Sequence, residues 1–424
     1  MIKRLLPPKG GFAYESGFLV VTTIIGNVLG WVYQIYVARV LGLELFGVFC
    51  ALVGIFSVAM LGGGAFRIQV AAVTARIAAR WGGEAATGNF LRIGRQFIFV
   101  FLPILLVFLF ASRPIASFLH TGSTGPVIVT GFAIFGTLLF SVTLGLMQGL
   151  QRFRSLGAVG YILPPALKLV FGFILVRAGL GLAGAMAAVL VAEFSGLSVA
   201  MLLWRKRFTR ARRGKPVGDS SIYRLILPGL VFAFFLATPT NLDVPLAVHY
   251  FSPEQGGIFA SAATFGKVIT FLPLGVSLAM LPMVAERHAR QEPTTRLALQ
   301  GLAATIALSG VVALVYWFLP DILIRLFFGQ PYLETRSILG WYGTAMVVFS
   351  ANIFLVQYAV AINKRHYVFI SGLTTVAIIL GVVFWHTSLQ QVVLVMLAGN
   401  LVLLLCCLPL LLPAGRGAGD TTRK

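Results

Sequence analysis

The chain alternates between long apolar stretches and short polar segments. A stretch of about 20 mostly apolar residues is long enough to cross a bilayer as a helix. Twelve stretches meet this criterion, which predicts an all-α polytopic membrane protein with twelve transmembrane helices. In chain order, the predicted spans are 16–39, 46–66, 96–117, 126–148, 157–177, 180–203, 225–248, 257–282, 298–318, 337–360, 367–386 and 390–412.

The polar segments carry most of the positive charge, and they carry it on alternate sides of the predicted membrane. With the N-terminus placed in the cytoplasm, 26 of the 33 Lys and Arg residues fall in inner segments and 4 fall in outer loops. This bias is the positive-inside pattern of membrane proteins. We therefore expect an even number of spans, with both termini on the cytoplasmic side.

The composition is that of a membrane protein. The chain is 58% hydrophobic and 11% charged, with a mean hydropathy of +0.94. Soluble globular domains contain about a quarter charged residues, so this chain has too few to cover a soluble surface. The net charge of +21 lies mainly in the predicted inner segments, so we expect no nucleic-acid partner.

Motifs for catalysis and cofactor binding are missing from the sequence. It contains no Gly-rich phosphate loop and no close pair of acidic residues. The three cysteines lie in apolar spans, without the spacing of a metal site or a disulfide framework. We expect a protein that is not an enzyme and that needs no cofactor or metal. Its energy would come from an ion gradient, the membrane potential or the gradient of its own substrate.

The basic segment 204–224 divides the predicted spans into two equal sets. Because each set contains six spans, both halves enter the membrane in the same sense. Transporters with such parallel repeats place their substrate between the halves, near the middle of the membrane. The sequence thus predicts two six-helix lobes around a central cavity, formed by 1–203 and 225–424, with 204–224 as a cytoplasmic linker.

A short internal repeat agrees with this division. Shifting the chain by 210 residues places 41–51 on 251–261, with Glu44 on Glu254. Each segment is predicted to be a tight outer turn between two helices. A glutamate near the start of a helix is favoured by the positive end of the helix dipole, so we interpret these two residues as structural.

Four ionisable residues lie inside predicted spans, where a charge costs about 2.5–3.5 kcal/mol on insertion scales. They are Lys168, Glu193, Asp243 and Lys267. Two interpretations stay open. In the first, Lys168 pairs with Glu193, and Asp243 with Lys267, for structural reasons. In the second, the two lysines line a cavity for an anionic substrate, and the two carboxylates couple transport to an ion.

Three stretches resemble signatures of a known family. They are YQIYVARVLGLELFGVF at 33–49, GLMQGLQRFRSLG at 145–157 and NLDVPLAVHYFSPEQGGIFASAATFGKV at 241–268. Together they resemble the polysaccharide transporter family, the O-antigen or exopolysaccharide repeat-unit flippases of the multidrug/oligosaccharidyl-lipid/polysaccharide exporter superfamily. The chain departs from the related lipid II flippases, which have fourteen helices and arginines in the first helix. Here that helix offers only Asn27 and Gln34.

The resemblance implies a flippase that works by alternating access in the bacterial cytoplasmic membrane. Its substrate would be an undecaprenyl-pyrophosphate-linked oligosaccharide, moved from the cytoplasmic to the outer leaflet, and its partners would be membrane lipids and a polysaccharide polymerase. The implied substrate-binding residues are Lys168 and Lys267 in the cavity, with Arg39 and Arg67 at its mouths. Snorkelling to the interface is the ordinary explanation for the two arginines.

Two other functions stay open at this point. One is a cation-coupled multidrug antiporter of the same superfamily, which would prefer an acidic, aromatic cavity. In this sequence Lys168 and Lys267 balance Glu193 and Asp243. The other is a non-transporting membrane scaffold of a polysaccharide assembly complex, which would tolerate neutralisation of the charged residues in its spans.

Overall fold

The computed structural model of the chain describes residues 12–211 and 241–411. Across these residues the regular elements are helices, and no strand is present. Eight helical runs in this part of the chain are long and apolar enough to cross a membrane. Gly17–Phe110 covers the first three predicted spans and Phe153–Arg205 covers the fifth and sixth. The predicted all-α polytopic fold is confirmed.

Two glycines divide the long helical run Phe12–Phe110 into the first three spans. Gly42 and Gly82 have φ angles of 77° and 83°, a conformation that residues with a Cβ rarely adopt. The turn at Gly42 lies in the predicted first loop. The second helix, however, continues to Gly82, whereas the prediction ended it at residue 66. The segment after residue 66 is rich in Ala and Arg and contains no helix breaker, so the helix extends beyond its apolar part.

Most other predicted spans correspond to helices with similar bounds. These are Gly125–Gly149, Leu163–Leu175, Gly181–Ala211, Thr295–Phe318, Arg336–Ala361, His366–Phe384 and Leu389–Cys407. Short helical elements flank them, and two of these are π-helices in the fifth span. The short elements are Ser112–Phe118, Phe153–Ser155, Leu156–Ile162, Val176–Leu180, Pro320–Phe327, Gln330–Thr335 and Leu408–Leu411.

The seventh and eighth spans differ from the prediction in detail. Residues 212–240 are outside the described part of the chain, so the seventh span is represented by the helix Asp243–Tyr250. The eighth span consists of two helices, Pro253–Phe271 and Leu274–Ala289. Pro273 lies at the break between them, as expected of a residue that cannot donate a backbone hydrogen bond.

Close contacts at glycines show the relative directions of the helices. Gly26 in the first span meets the Tyr161 carbonyl in the fifth, and Gly172 in the fifth meets the Tyr33 ring in the first. Because both residue numbers increase together, these two odd-numbered spans run parallel, as alternate crossing requires. The fifth and sixth spans run antiparallel, as shown by the contacts of Leu175 with Gly184 and of Pro164 with Gly196.

The chain folds into two compact units. Among the described residues, the first unit contains those up to Thr264 together with Asp321–Thr335. The second contains Phe265–Pro320 and the residues from Arg336 onwards. The predicted linker 204–224 is described only as far as residue 211, so the proposed lobe boundaries stay a prediction.

Candidate functional site

Polar side chains from four spans meet inside the first unit. The Tyr33 hydroxyl donates a 2.6 Å hydrogen bond to the Ala185 carbonyl, and Lys168 Nζ lies 5.5 Å from the centroid of the Tyr33 ring. The Glu193 carboxylate interacts electrostatically with Lys168 and accepts a hydrogen bond from the Thr137 hydroxyl. We call Tyr33, Thr137, Lys168 and Glu193 the Lys168 cluster.

The backbone of the fifth span positions this cluster. The π-helix Leu156–Ile162 is followed by Leu163–Leu175, which has Pro164 in its first turn and carries Lys168 about one turn later. Gly172 leaves no space for a Cβ, because the Tyr33 ring lies directly against it. Single π-turns within α-helices occur frequently at functional sites. The local sequence thus brings a lysine and an aromatic face together between two parallel helices.

The Lys168 cluster surrounds one lysine with an aromatic and an acidic partner inside the helical bundle. Lys168 is half-buried, with its Nζ over the Tyr33 ring face and in electrostatic interaction with Glu193. The structure therefore brings together two of the predicted site residues. A cation held in this way is able to exchange its carboxylate partner for an anionic ligand.

Arg67 lies on the second helix and contacts the same fifth span. One terminal guanidinium nitrogen donates a 2.7 Å hydrogen bond to the Tyr161 hydroxyl, and the guanidinium carbon lies 5.7 Å from the centroid of the Tyr161 ring. Its Nε atom is buried and has no hydrogen-bond partner among the described residues. The prediction that Arg67 ends the second helix is wrong, because that helix continues to Gly82.

Arg39 takes part in contacts that the sequence did not suggest. Its Nε donates a 2.8 Å hydrogen bond to the Phe327 carbonyl, and a terminal nitrogen donates to the Leu326 carbonyl. Both carbonyls belong to the last turn of Pro320–Phe327, where carbonyls lack partners within their own helix. Arg39 therefore caps the C-terminus of a short helix.

Asp243 and Lys267 occupy different units. Asp243 is 5% exposed and begins the helix Asp243–Tyr250, whereas the prediction placed it about five residues inside a continuous span. In the first turn, the helix dipole stabilises its carboxylate. Lys267 is half-buried in the second-unit part of Pro253–Phe271. Their pairing stays a prediction.

Tyr33, Thr137 and Tyr161 are site residues that sequence reasoning missed. Tyr161 lies about two helical turns before Lys168 on the same span, a spacing that in a regular α-helix places both side chains on the same face. Such spacing does not reveal which distant helix supplies the other partners. Arg67 and Tyr161 are 94 residues apart, and Tyr33 and Ala185 are 152 apart.

Metal-ligating side chains are sparse in this structure. Within 12–211 and 241–411, no three His, Cys, Asp or Glu side chains lie together as a metal site would need. The rings of His120 and His249 stack with centroids 6.2 Å apart. His249 Nδ1 already donates a 3.0 Å hydrogen bond to the Phe118 carbonyl, which leaves this pair too few ligand atoms for a structural metal site.

Comparisons with known proteins identify the fold. No protein-family model and no curated protein sequence matches the chain. The inward-facing conformation of a multidrug resistance MATE family transporter of the MOP superfamily matches with a TM-score of 0.75 at 15% identity, covering 93% of this chain and 98% of that one. The lipid II flippase MurJ, in an inward closed conformation, matches with a TM-score of 0.73 at 14% identity, covering 92% and 86%.

An outward-facing structure of a MATE family transporter matches with a lower TM-score of 0.60 at 16% identity, covering 93% of this chain and 94% of that one. The chain has the fold of the MOP superfamily transporters. The same fold is found in a multidrug resistance transporter and in a lipid II flippase. Fold alone therefore does not choose a substrate, and the choice depends on the side chains of the site.

Proposed function

We propose that this protein is a flippase that moves a polyprenyl-pyrophosphate-linked oligosaccharide from the cytoplasmic to the outer leaflet by alternating access. A sugar headgroup cannot cross hydrocarbon without hydrogen-bond partners, because each unsatisfied polar group costs free energy. A cleft that carries the headgroup while the lipid tail stays in the bilayer removes this cost. The observation that carries the proposal is the environment of Arg67.

Arg67 has the chemistry of a phosphate ligand. A guanidinium presents several N–H donors in one plane and binds phosphate oxygens through paired, charge-assisted hydrogen bonds. The described hydrogen bond of Arg67 goes to the neutral Tyr161 hydroxyl, and its Nε proton has no acceptor among the described residues. An anionic headgroup would satisfy these donors. The predicted topology places Arg67 towards the cytoplasmic side, from which the substrate would enter.

The Lys168 cluster would act on the same headgroup at a second step. Lysine meets phosphate as a point charge, so Lys168 can bind an anion without a fixed geometry. A phosphate bound to Lys168 would compete with Glu193 for the ammonium group. The released Glu193 carboxylate would then take up a proton or a cation, which would couple substrate binding to an ion. We assign Asp243 as a second coupling carboxylate and Lys267 as a second phosphate ligand.

A cation-coupled multidrug antiporter is the second candidate function, because a multidrug resistance transporter shares the fold of this chain as the lipid II flippase does. Its substrates would include organic cations. Glu193 and Asp243 would attract such a cation, whereas Arg67 and Lys168 would repel it. We favour the lipid-linked anion because Arg67 retains an unused donor, which a cationic drug cannot satisfy.

Complementation of a bacterial strain that lacks a repeat-unit flippase tests the proposal. We expect the wild-type chain to restore surface polysaccharide. Arg67→Gln should restore about ten-fold less or lower still, since a hydrogen bond to a charged group contributes about 1.5–3 kcal/mol. Arg67→Lys should retain part of the activity, because it keeps the charge but loses the planar donor geometry.

Arg76→Gln is the matched control. Arg76 lies on the same helix, is exposed and hydrogen-bonds only the Ala72 carbonyl of its own helix among the described contacts. Its neutralisation should leave rescue unchanged at equal protein abundance in the membrane. Full rescue by Arg67→Gln, at an abundance equal to that of the wild type, would contradict the proposed role of Arg67.

A further inference from the structure

The segment Asp321–Thr335, which we call the strap, belongs to a different unit from its flanking helices. The strap lies in the first unit, whereas Thr295–Phe318 and Arg336–Ala361 lie in the second. The strap begins at Asp321, the second residue of the short helix Pro320–Phe327, and it ends with the 3₁₀ helix Gln330–Thr335. Because the chain is continuous, any movement of the flanking helices pulls on the contacts of the strap.

Hydrogen bonds join the strap to the last turns of the first helix. Arg39 donates to the carbonyls of Leu326 and Phe327. In return, the Tyr332 hydroxyl donates a 2.8 Å hydrogen bond to the Ala38 carbonyl. All three acceptors lie near helix ends, where carbonyls are left without partners in their own helix. Each segment thus donates hydrogen bonds to carbonyls at a helix terminus of the other.

Aromatic rings pack around these hydrogen bonds. Trp31 of the first helix meets Phe327 edge-on at a centroid distance of 4.7 Å. Phe46 at the start of the second helix lies 5.8 Å from Phe328 and 5.9 Å from Tyr332. Aromatic pairs at such distances contribute about 0.5–1.5 kcal/mol each beyond their buried area. The docked strap is therefore a specific packing arrangement.

The two ends of the strap are held differently. Thr335 is fully buried, and its hydroxyl oxygen lies 2.6 Å from that of Ser261 on the helix Pro253–Phe271. Arg39 is exposed, so water is able to replace its hydrogen bonds. The Arg39 contacts are thus the ones that water can replace, whereas the buried Tyr332 hydrogen bond to Ala38 and the contact at Thr335 hold the other end of the strap.

We propose that the strap is a latch on the predicted external side of the membrane. The strap is the connection between the ninth and tenth helices, and its docking on Arg39 and Ala38 holds this connection against the first helix. Undocking of this contact accompanies opening towards the external side. The inference rests on the proposed function, since alternating access requires an external closure that is released in each cycle. It also gives Arg39 a role in holding the latch rather than in binding substrate.

The reactivity of Cys50 provides a test in the full chain without substrate. Cys50 is 5% exposed on the second helix, and it interacts electrostatically with Tyr332 of the strap. Cys406 and Cys407 are first replaced by serine. A membrane-impermeant maleimide is then added from the external side, and its rate of reaction with Cys50 is measured in intact cells.

Tyr332→Phe removes one hydroxyl while keeping the ring against Phe46 and Phe328. We expect it to raise the rate of Cys50 labelling about five-fold, the effect of one lost hydrogen bond, and we expect a larger rise for Arg39→Gln, which loses two. Arg325→Gln is the control, because Arg325 is an exposed cation on the strap itself. It should label at the wild-type rate.

Labelling rates in Tyr332→Phe and Arg39→Gln that equal the wild-type rate would overturn the latch. So would a wild-type rate that already matches that of the denatured chain, since the docked state would then not protect Cys50. A separate flipping assay on the same variants distinguishes the two proposals. Faster Cys50 labelling in a protein that flips no lipid-linked oligosaccharide would support the latch and reject the proposed function.

Discussion

The buried polar residues of the two units differ in kind. The first unit holds charged residues that are buried or half-buried: Arg67, Lys168, Glu193 and Asp243. In the described part of the second unit, the buried polar residues are uncharged, and Lys267 is half-buried. The uncharged set is Ser277, Thr294, Thr305, Ser309, Ser350, Asn352, Ser371, Thr374, Thr375 and Asn400.

Hydrogen bonds between neutral groups connect helices of the second unit. Asn352 Nδ2 donates a 2.8 Å hydrogen bond to the Asn400 carbonyl, which joins the tenth and twelfth helices. Such interhelical bonds contribute about 0.6 kcal/mol on average in membranes, whereas a charge at the centre of a span costs about 2.5–3.5 kcal/mol. We infer that the neutral groups hold helices together, whereas the charges of the first unit form the proposed substrate site.

Neutralising Lys168 should have the largest effect on transport. Lys168→Met leaves Glu193 without its cationic partner and removes a proposed phosphate ligand. We expect flipping to fall about 30-fold or more, because truncating one member of a buried charge pair costs at least about 2 kcal/mol. Proteoliposome flipping rates measure this loss, and Lys364→Met, at an exposed position of the second unit, is the control. Wild-type flipping by Lys168→Met would remove the functional distinction between the units.

Removing the asparagine contact should affect stability instead. Asn352→Leu keeps a similar volume but loses the donor to the Asn400 carbonyl. We expect a loss of about 0.6–1.7 kcal/mol in the free energy of unfolding, seen as a lower thermal-unfolding midpoint in detergent. The flipping rate per folded molecule should stay at the wild-type value. A large drop in flipping with no change in the midpoint would assign a transport role to the second unit.

The smallest effect is expected at Ser309. Its hydroxyl is fully buried and donates a long hydrogen bond of 3.4 Å to the Ile269 carbonyl. Ser309→Ala should therefore change the free energy of unfolding by less than about 0.6 kcal/mol. The thermal-unfolding midpoints of Ser309→Ala and Asn352→Leu, measured side by side, show how much one neutral hydrogen bond contributes to stability. A destabilisation larger than that of Asn352→Leu would show that the hydrogen-bond lengths do not rank these contacts.

Sequence reasoning predicted the helices better than it predicted their contacts. Span length and hydropathy located most helices, and the turn at Gly42 falls within the predicted first loop. The extension of the second helix to Gly82 was missed, since apolar length sets the membrane part of a helix but not its end. Asp243 was placed inside a span because hydropathy does not show that a helix begins there.

The strap shows why the rest was not predictable. Arg39 and Phe327 are 288 residues apart, and their contact involves a backbone carbonyl, which every residue possesses. No residue type in the sequence marks such an acceptor. A span-end arginine is therefore equally consistent with snorkelling, substrate binding and helix capping until the fold brings a helix C-terminus to it. Lys168 and Glu193, by contrast, were predictable because buried opposite charges have few alternatives.

Transport by the purified protein in proteoliposomes distinguishes a flippase for lipid-linked oligosaccharides from a drug antiporter. Vesicles containing the wild-type chain or Arg67→Gln are loaded with a fluorescent polyprenyl-pyrophosphate-linked oligosaccharide, or are offered the organic cation ethidium under a proton or sodium gradient. We expect the wild type to move the lipid-linked oligosaccharide between leaflets, Arg67→Gln to do so much more slowly, and neither to drive ethidium uptake. Gradient-driven movement of ethidium, with the lipid-linked oligosaccharide left in its original leaflet, would contradict the proposed function.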